Sequence, residues 1–335
     1  LSIGDGITFS NDATLTLTSN AAASTSAITL TGNLTTADII SGSEGNALTK
    51  MGEDINGLSN IDFSGYSLSL SSNGNILAIG AVNREGYTTQ KSGYVRVYQY
   101  SSGSWTQLGS TINGTNNDFT GWSVSLNDDG DILAIGSPEH DGNGQNLGNV
   151  GIYENVESDW TKIADIAGED NGDYCGVSVS MNSEGNRIAI GAPGHWGLNS
   201  YVTSRVRVYE NIDGTWTKMG EDIDGISSYD HSGYSVSLNG DGTIVAIGHP
   251  FYAAYNSSLV KVYQYNGSAW AQLGSNIENN LGLFGNSVSL SSSGNIVAIG
   301  APRNDDGIGS TSGTVMIYEN RVVTQEEWDS NTIVI

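Results

Sequence analysis

One stretch of this sequence, Gly65-Tyr-Ser-Leu-Ser-Leu-Ser-Ser-Asn-Gly-Asn-Ile-Leu-Ala-Ile-Gly80, returns with modest changes from Gly121, Gly176, Gly233 and Gly285. The copies are offset by 56, 55, 57 and 52 residues, so one repeated unit accounts for most of the 335-residue chain. A fixed period of that size dictates a repeat architecture, in which each unit buries its apolar faces against its neighbours. Further landmarks keep the same phase. A Val-Arg-Val-Tyr-like stretch ends at Tyr98, Tyr153, Tyr209, Tyr263 and Tyr318. A Trp follows the first four of these seven residues later, at Trp105, Trp160, Trp216 and Trp270, and a Thr-Gln-Leu-Gly or Thr-Lys-Met-Gly stretch comes next.

Each landmark reads as a β-strand. Ser67-Leu68-Ser69-Leu70 alternates with period two, as a strand with two unlike faces does. Ile76 to Gly80 is continuously apolar, the pattern of a strand covered on both sides. Between them Ser72-Asn73-Gly74-Asn75 forms a tight hairpin turn. Val95 to Tyr98 and Trp105 to Leu108 make a second hairpin across Ser101 to Ser104. With 45 Gly, 4 Pro and 14% charged residues, the composition suits short strands and turns rather than long helices. The expected fold is all-β: a five-bladed β-propeller of four-stranded antiparallel blades, strands a to d, over residues 46–320. The phased Trp residues are expected to pack between blades.

A duplication suggests how the ring closes. Thr49-Lys-Met-Gly-Glu-Asp-Ile55 is identical to Thr217-Lys-Met-Gly-Glu-Asp-Ile223, which is strand d of the third unit. The first blade is therefore preceded by an orphan d strand, whereas the fifth unit has no clean d strand after Tyr318. The N-terminal strand is expected to complete the fifth blade and remove two open edges. A rival closure by Trp328 to Val334 has a Tyr-to-Trp offset of ten rather than seven.

Phe119-Thr-Gly-Trp-Ser-Val-Ser, Phe284-Gly-Asn-Ser-Val-Ser, Ala192-Pro193, Ala301-Pro302 and the Val-x-Val-Tyr strand resemble the FG-GAP repeat, a β-propeller repeat also found in integrin α-subunit heads. The likeness covers residues 46–320, although integrin heads have seven blades and five are counted here. The resemblance implies that Ca²⁺ can bind an Asp-rich loop of the form D-x-[DN]-x-[DN]-G-x-x-D. The nearest matches, Ser125 to Leu133 and Ser237 to Val245, lack oxygen ligands at both ends and read as Asx/Gly hairpin turns. No cofactor is required by this reading. Ca²⁺ at the acidic residues of the long loops (Glu139, Asp141, Glu169, Asp170, Asp173, Asp305, Asp306) stays open.

Twelve Lys and Arg face 36 Asp and Glu, a formal net charge of −24. Such a surface repels phosphates and anionic lipid, so no nucleic-acid partner is expected. The plain reading of the charge is solubility, and the functional one is cation binding. No apolar run approaches the roughly 18 residues of a membrane helix, so no membrane insertion is expected. The lone Cys175 excludes an intrachain disulfide and is expected to be a buried thiol. The chain opens at Leu1 without a signal peptide, which points to a mature or excised fragment. Residues 1–45, rich in Thr, Ser, Ala and Asn with Ile/Leu alternation, are expected to form an extended β-rich attachment and oligomerisation segment. By composition that segment is similar to shaft segments of viral fibres and bacterial surface proteins. Residues 321–335 are expected to form a C-terminal arm.

The a–b and c–d connections are short, whereas the b–c and d–a loops are long, varied and on one face, where recognition is expected. Tyr87, Trp196, Tyr201, Phe251, Tyr252 and Tyr255 lie there beside Asn and Asp, as rings that stack on sugars or grip a protein surface do. His140 and His195 join them as candidate ligand-binding residues. With His231 and His249 they would put four imidazoles on that face, unless polar loops merely tolerate His. Familiar nucleophile, zinc, phosphate and dinucleotide motifs are missing. The expectation is a non-enzymatic recognition or adhesion module for a glycan or surface protein, extracellular or on a cell or virion surface. It is expected to form a homo-oligomer or larger assembly through residues 1–45. Two other classes stay open: a purely structural assembly or decoration protein, and a glycoside hydrolase-like enzyme using paired carboxylates.

Overall fold

The computed structural model describes residues 49–82, 92–115, 117–141, 145–194, 204–225, 230–250, 258–279, 282–303 and 312–320. Every regular element among them is a strand, and five antiparallel sheets form the blades of a five-bladed β-propeller. Blade 1 comprises strands a Ser64–Leu70, b Ile76–Ala81, c Tyr94–Ser101 and d Ser104–Gln107. The same order repeats in blade 2 (Ser123–Leu126, Ile132–Ser137, Asn149–Val156, Asp159–Ala167), blade 3 (Ser178–Met181, Arg187–Ala192, Arg205–Ile212, Thr215–Lys218) and blade 4 (Ser235–Leu238, Ile244–His249, Ser258–Tyr265, Trp270–Gln272). Blade 5 has Ser287–Leu290, Ile296–Ala301 and Thr314–Glu319, three strands among the described residues. The continuously apolar b strands are buried on both sides, as their sequence requires.

The Ser-x-Ser alternation of strand a turns out to build the seams between blades. In blade 1, Ser67 Oγ donates to the Gly121 carbonyl of blade 2, and Ser69 Oγ accepts from Leu126 N, both at 2.8 Å. The serine pairs 123/125, 178/180 and 235/237 repeat both bonds to the next blade. Strand b lies so close to the neighbouring chain that a Cβ on Gly136 would sit 2.1 Å from the Gly176 carbonyl oxygen. Gly80, Gly191 and Gly248 are equally tight against the next blade. The alternate residues of strand a face the other way. Val124 and Leu126, with Leu133 and Ile135, pack against Ile76, Ala78, Val95 and Val97 of blade 1.

The phased Trp residues also bridge blades, as expected. Trp160 Nε1 donates to Leu108 O at 3.2 Å, and Trp270 Nε1 to Met219 O at 2.7 Å. Trp105 Nε1 does the same to Met51 O at 3.0 Å. Residues around Met51 thus stand beside blade 1 where a preceding blade's d strand would stand. This corrects the expected closure: no ladder joins this segment to Thr314–Glu319, whose only strand partner among the described residues is Ile296–Ala301. The Trp105 indole anchors the segment to blade 1 instead. The rival stretch Trp328 to Val334 lies outside the described residues, as do all of 1–45 and all of 321–335. Cys175 is buried, and burial pushes its thiol up to about 12.

Candidate functional site

Blade 2 departs from its sisters at two positions, and both lie beside one cavity. The residue between the two apolar members of strand c is Arg96 in blade 1, Arg207 in blade 3 and Lys261 in blade 4, but Gly151 in blade 2. Strand d in blades 1, 3 and 4 is broken by a glycine of positive φ, at Gly109, Gly220 and Gly274. Blade 2 carries Ala164 there, so its strand d runs on to Ala167 through a bulge opposite Ile152 and Tyr153. The long cationic side chain is missing and the strand is extended. Between them lies a cavity of about 580 Å³ at the end of the blade from which the b–c and d–a loops emerge.

The Tyr153 ring walls this cavity, and Lys162 Nζ lies 5.7 Å from its centroid. Lys162 Nζ also stands 2.9 Å from Asp165 Oδ1, and Asn149 Nδ2 donates to the same oxygen at 2.7 Å. Burial acts to raise the Asp165 pKa, but these two partners outweigh it and hold the carboxyl below its ordinary value. Asp165 therefore serves as an acceptor rather than as a proton donor. Burial raises the Tyr153 phenol, with Lys162 opposing. A second polar group sits on the d–a loop, where Asp118 Oδ1 is 3.1 Å from His140 Nδ1 and Oδ2 accepts from Thr115 N and Oγ1. Thr120 and Ser137 share a hydroxyl hydrogen bond of 2.9 Å on the same wall. Donors and acceptors of both signs thus surround one aromatic face, which suits a neutral, hydroxyl-rich ligand.

Of the residues singled out from sequence, His140 lines this cavity. Tyr87, His195, Trp196, Tyr201, Phe251, Tyr252 and Tyr255 lie outside the described residues. His249 closes strand b of blade 4 rather than entering a loop, and its side chain is 2% exposed. His231 is also buried, beside Asp230. Among the described residues no group of three or more His, Cys, Asp and Glu is placed to hold a metal ion. At the turns resembling Ca²⁺ loops, Asn127 Oδ1 accepts from Gly130, Asp131 and Ile132 amides, and Asn239 Oδ1 from Thr243 and Ile244. Those oxygens stabilise the turn itself.

Burial holds both His249 and His231 below the ordinary imidazole value of 6.5, the charge of Asp230 opposing in each case. His249 Nδ1 is 3.6 Å from Asp230 Oδ2, too long for a hydrogen bond. Asp230 accepts from Ser204 Oγ and Ser232 N and stays ionised. Below pH 6.5 the unfolded chain binds protons that the folded blade refuses. The stability these histidines contribute is therefore present above that pH and declines as pH falls through it. Urea midpoints measured from pH 7.5 to 5 are expected to fall, and His249→Phe to flatten that fall; an unchanged slope in the variant would assign the proton uptake elsewhere.

The cavity-lining residues that sequence reading passed over are Asp118, Asn149, Tyr153, Lys162 and Asp165. The signal was available as two breaks in the repeat, Gly151 and Ile163-Ala164. No protein-family model matches the chain, and no curated protein matches it.

Proposed function

We propose that the chain is a non-enzymatic recognition module of the FG-GAP type, which holds a neutral glycan, free or on a surface protein, in the blade 2 cavity. The observation that carries this reading is a cavity of about 580 Å³ lined by Gly151, Tyr153, Lys162 and Asp165, in the one blade among the first four whose strand c has glycine where blades 1, 3 and 4 carry Arg or Lys. Sugar hydroxyls find acceptors in Asp165 and Asp118 and donors in Asn149 and Lys162, while the Tyr153 face receives an apolar sugar face. The ionised Asp165 favours binding over acid catalysis. A net charge of −24 and the glycan ligand suit a module that works outside the cell, on a cell or virion surface. The segment 1–45 is its attachment and oligomerisation arm.

A glycan array followed by calorimetry tests the reading. Gly151→Arg should place a long cation in the cavity, as Arg96 stands 5.3 Å from the Tyr98 ring in blade 1. The Tyr153 ring, 2.9 Å from where the new Cβ would sit, must swing aside, and a thermal melt checks that the blade stays folded. The expected loss of affinity is about tenfold or more, since such a side chain excludes the ligand outright. Binding by Gly151→Arg equal to wild type would remove the cavity from the account. Cleaved glycan in the eluate would instead favour a hydrolase.

A further inference from the structure

Among the described residues four seams join the five blades, and both halves of a fifth are present but unmade. On blade 1, Leu68 and Leu70 are 60% and 55% exposed, whereas their counterparts Val124 and Leu126 are 8% and 7% exposed against the preceding blade. On blade 5, Val315 and Ile317 are 69% and 71% exposed, whereas Val95 and Val97 of blade 1 are 0% and 1% exposed against the following one. The polar half of the seam is open too. Ser287 and Ser289 occupy the places from which Ser235 and Ser237 bond the next blade, and among the described residues they reach none. A Cβ on Gly65 would meet nothing within 4 Å, although one on Gly121, Gly176, Gly233 or Gly285 would touch the preceding blade.

The geometry points to head-to-tail self-association, in which blade 5 of one copy docks on blade 1 of a second copy through the seam that the chain builds four times within itself. Each copy carries one of each face, so the contact is heterologous and extends to rings or filaments. Its continuity with the internal seams supplies every partner: Val315 and Ile317 meet Leu68 and Leu70, while the Ser287 and Ser289 hydroxyls meet Gly65 O and Leu70 N. The −24 charge on each copy opposes the contact, so association is expected to strengthen with ionic strength.

Sedimentation velocity on the full chain tests this with two paired variants, Leu68→Asp with Leu70→Asp, and Val315→Asp with Ile317→Asp. All four sites are exposed within one chain, so both variants should fold, as near-ultraviolet circular dichroism and thermal melting will report. The wild type is expected to grow in mass with concentration, and each variant alone to remain a single chain. An equimolar mixture of the two should stop at two chains, because each variant retains the face that the other has lost. A wild type that stays a single chain at every concentration would overturn the proposal. So would variants that remain single chains on mixing, since that result belongs to a symmetric contact. A single-chain wild type destabilised by either variant would show that the chain covers these faces itself.

Discussion

Arg207→Ala is expected to lower the stability of the propeller by about 3–5 kcal/mol, the range for stranding a buried charge. The guanidinium is 2% exposed and pairs with three carboxylates: Asp222 at 3.0 Å, Asp173 at 3.1 Å and Glu169 at 3.2 Å. Burial works against its charge, and these three carboxylates more than offset that. Glu169 and Asp173 come from the d–a loop between blades 2 and 3, and Asp222 from beyond strand d of blade 3, so one side chain ties a loop to two elements. Asp173 is fully buried, and the substitution would leave its carboxyl without this cation. Urea denaturation checks the loss. A double-mutant cycle with Asp173→Asn should show the two changes costing well under their sum; additive losses would mean that the pair is not coupled.

Trp160→Ala is expected to cost a comparable 3–5 kcal/mol or so, the usual range for deleting a large buried aromatic. Trp160 belongs to the core shared by blades 1 and 2, and its indole N–H reaches across the seam to Leu108 O. Trp160→Phe keeps most of the apolar volume and loses that hydrogen bond, so it should cost only about 1 kcal/mol beyond the packing change. Trp105→Ala makes the informative control. Its indole bonds the Met51 segment rather than another blade, and it lies more exposed, so its loss should be visibly smaller. Equal losses at both positions would mean that the seam adds nothing to the burial of Trp160.

Strand identity was legible because burial in a blade follows period-two alternation and continuous apolar runs, both printed in the sequence. The phased Trp residues were legible for the same reason: a position kept in every copy must do something every copy needs. Less visible was why serine alternates in strand a, since a pattern shows only that two faces differ. The seam hydrogen bonds become apparent once the neighbouring blade is in place. The Arg207–Asp173 pair, 34 residues apart, depends on how a loop folds back, which no local pattern encodes. His249 stands in the ladder rather than in the b–c loop because strand b continues past Gly248 to a pairing of His249 with Leu259, a register that only the facing strand sets. The cavity was hardest to foresee, because it is defined by a side chain that blade 2 lacks.

The close approach of Gly136 to the Gly176 carbonyl has a consequence for how such a chain changes over generations. Every seam reuses one small set of contacts, so a duplicated unit arrives already fitted to the copy on either side of it. The seam glycines and serines stay alike from copy to copy, whereas the central residue of strand c takes no part in the seam hydrogen bonds and differs between blades. Arg96, Gly151, Arg207, Lys261 and Met316 show that freedom in use. A lineage can therefore copy a blade whole and change the side chain at the centre of its strand c afterwards, one residue at a time.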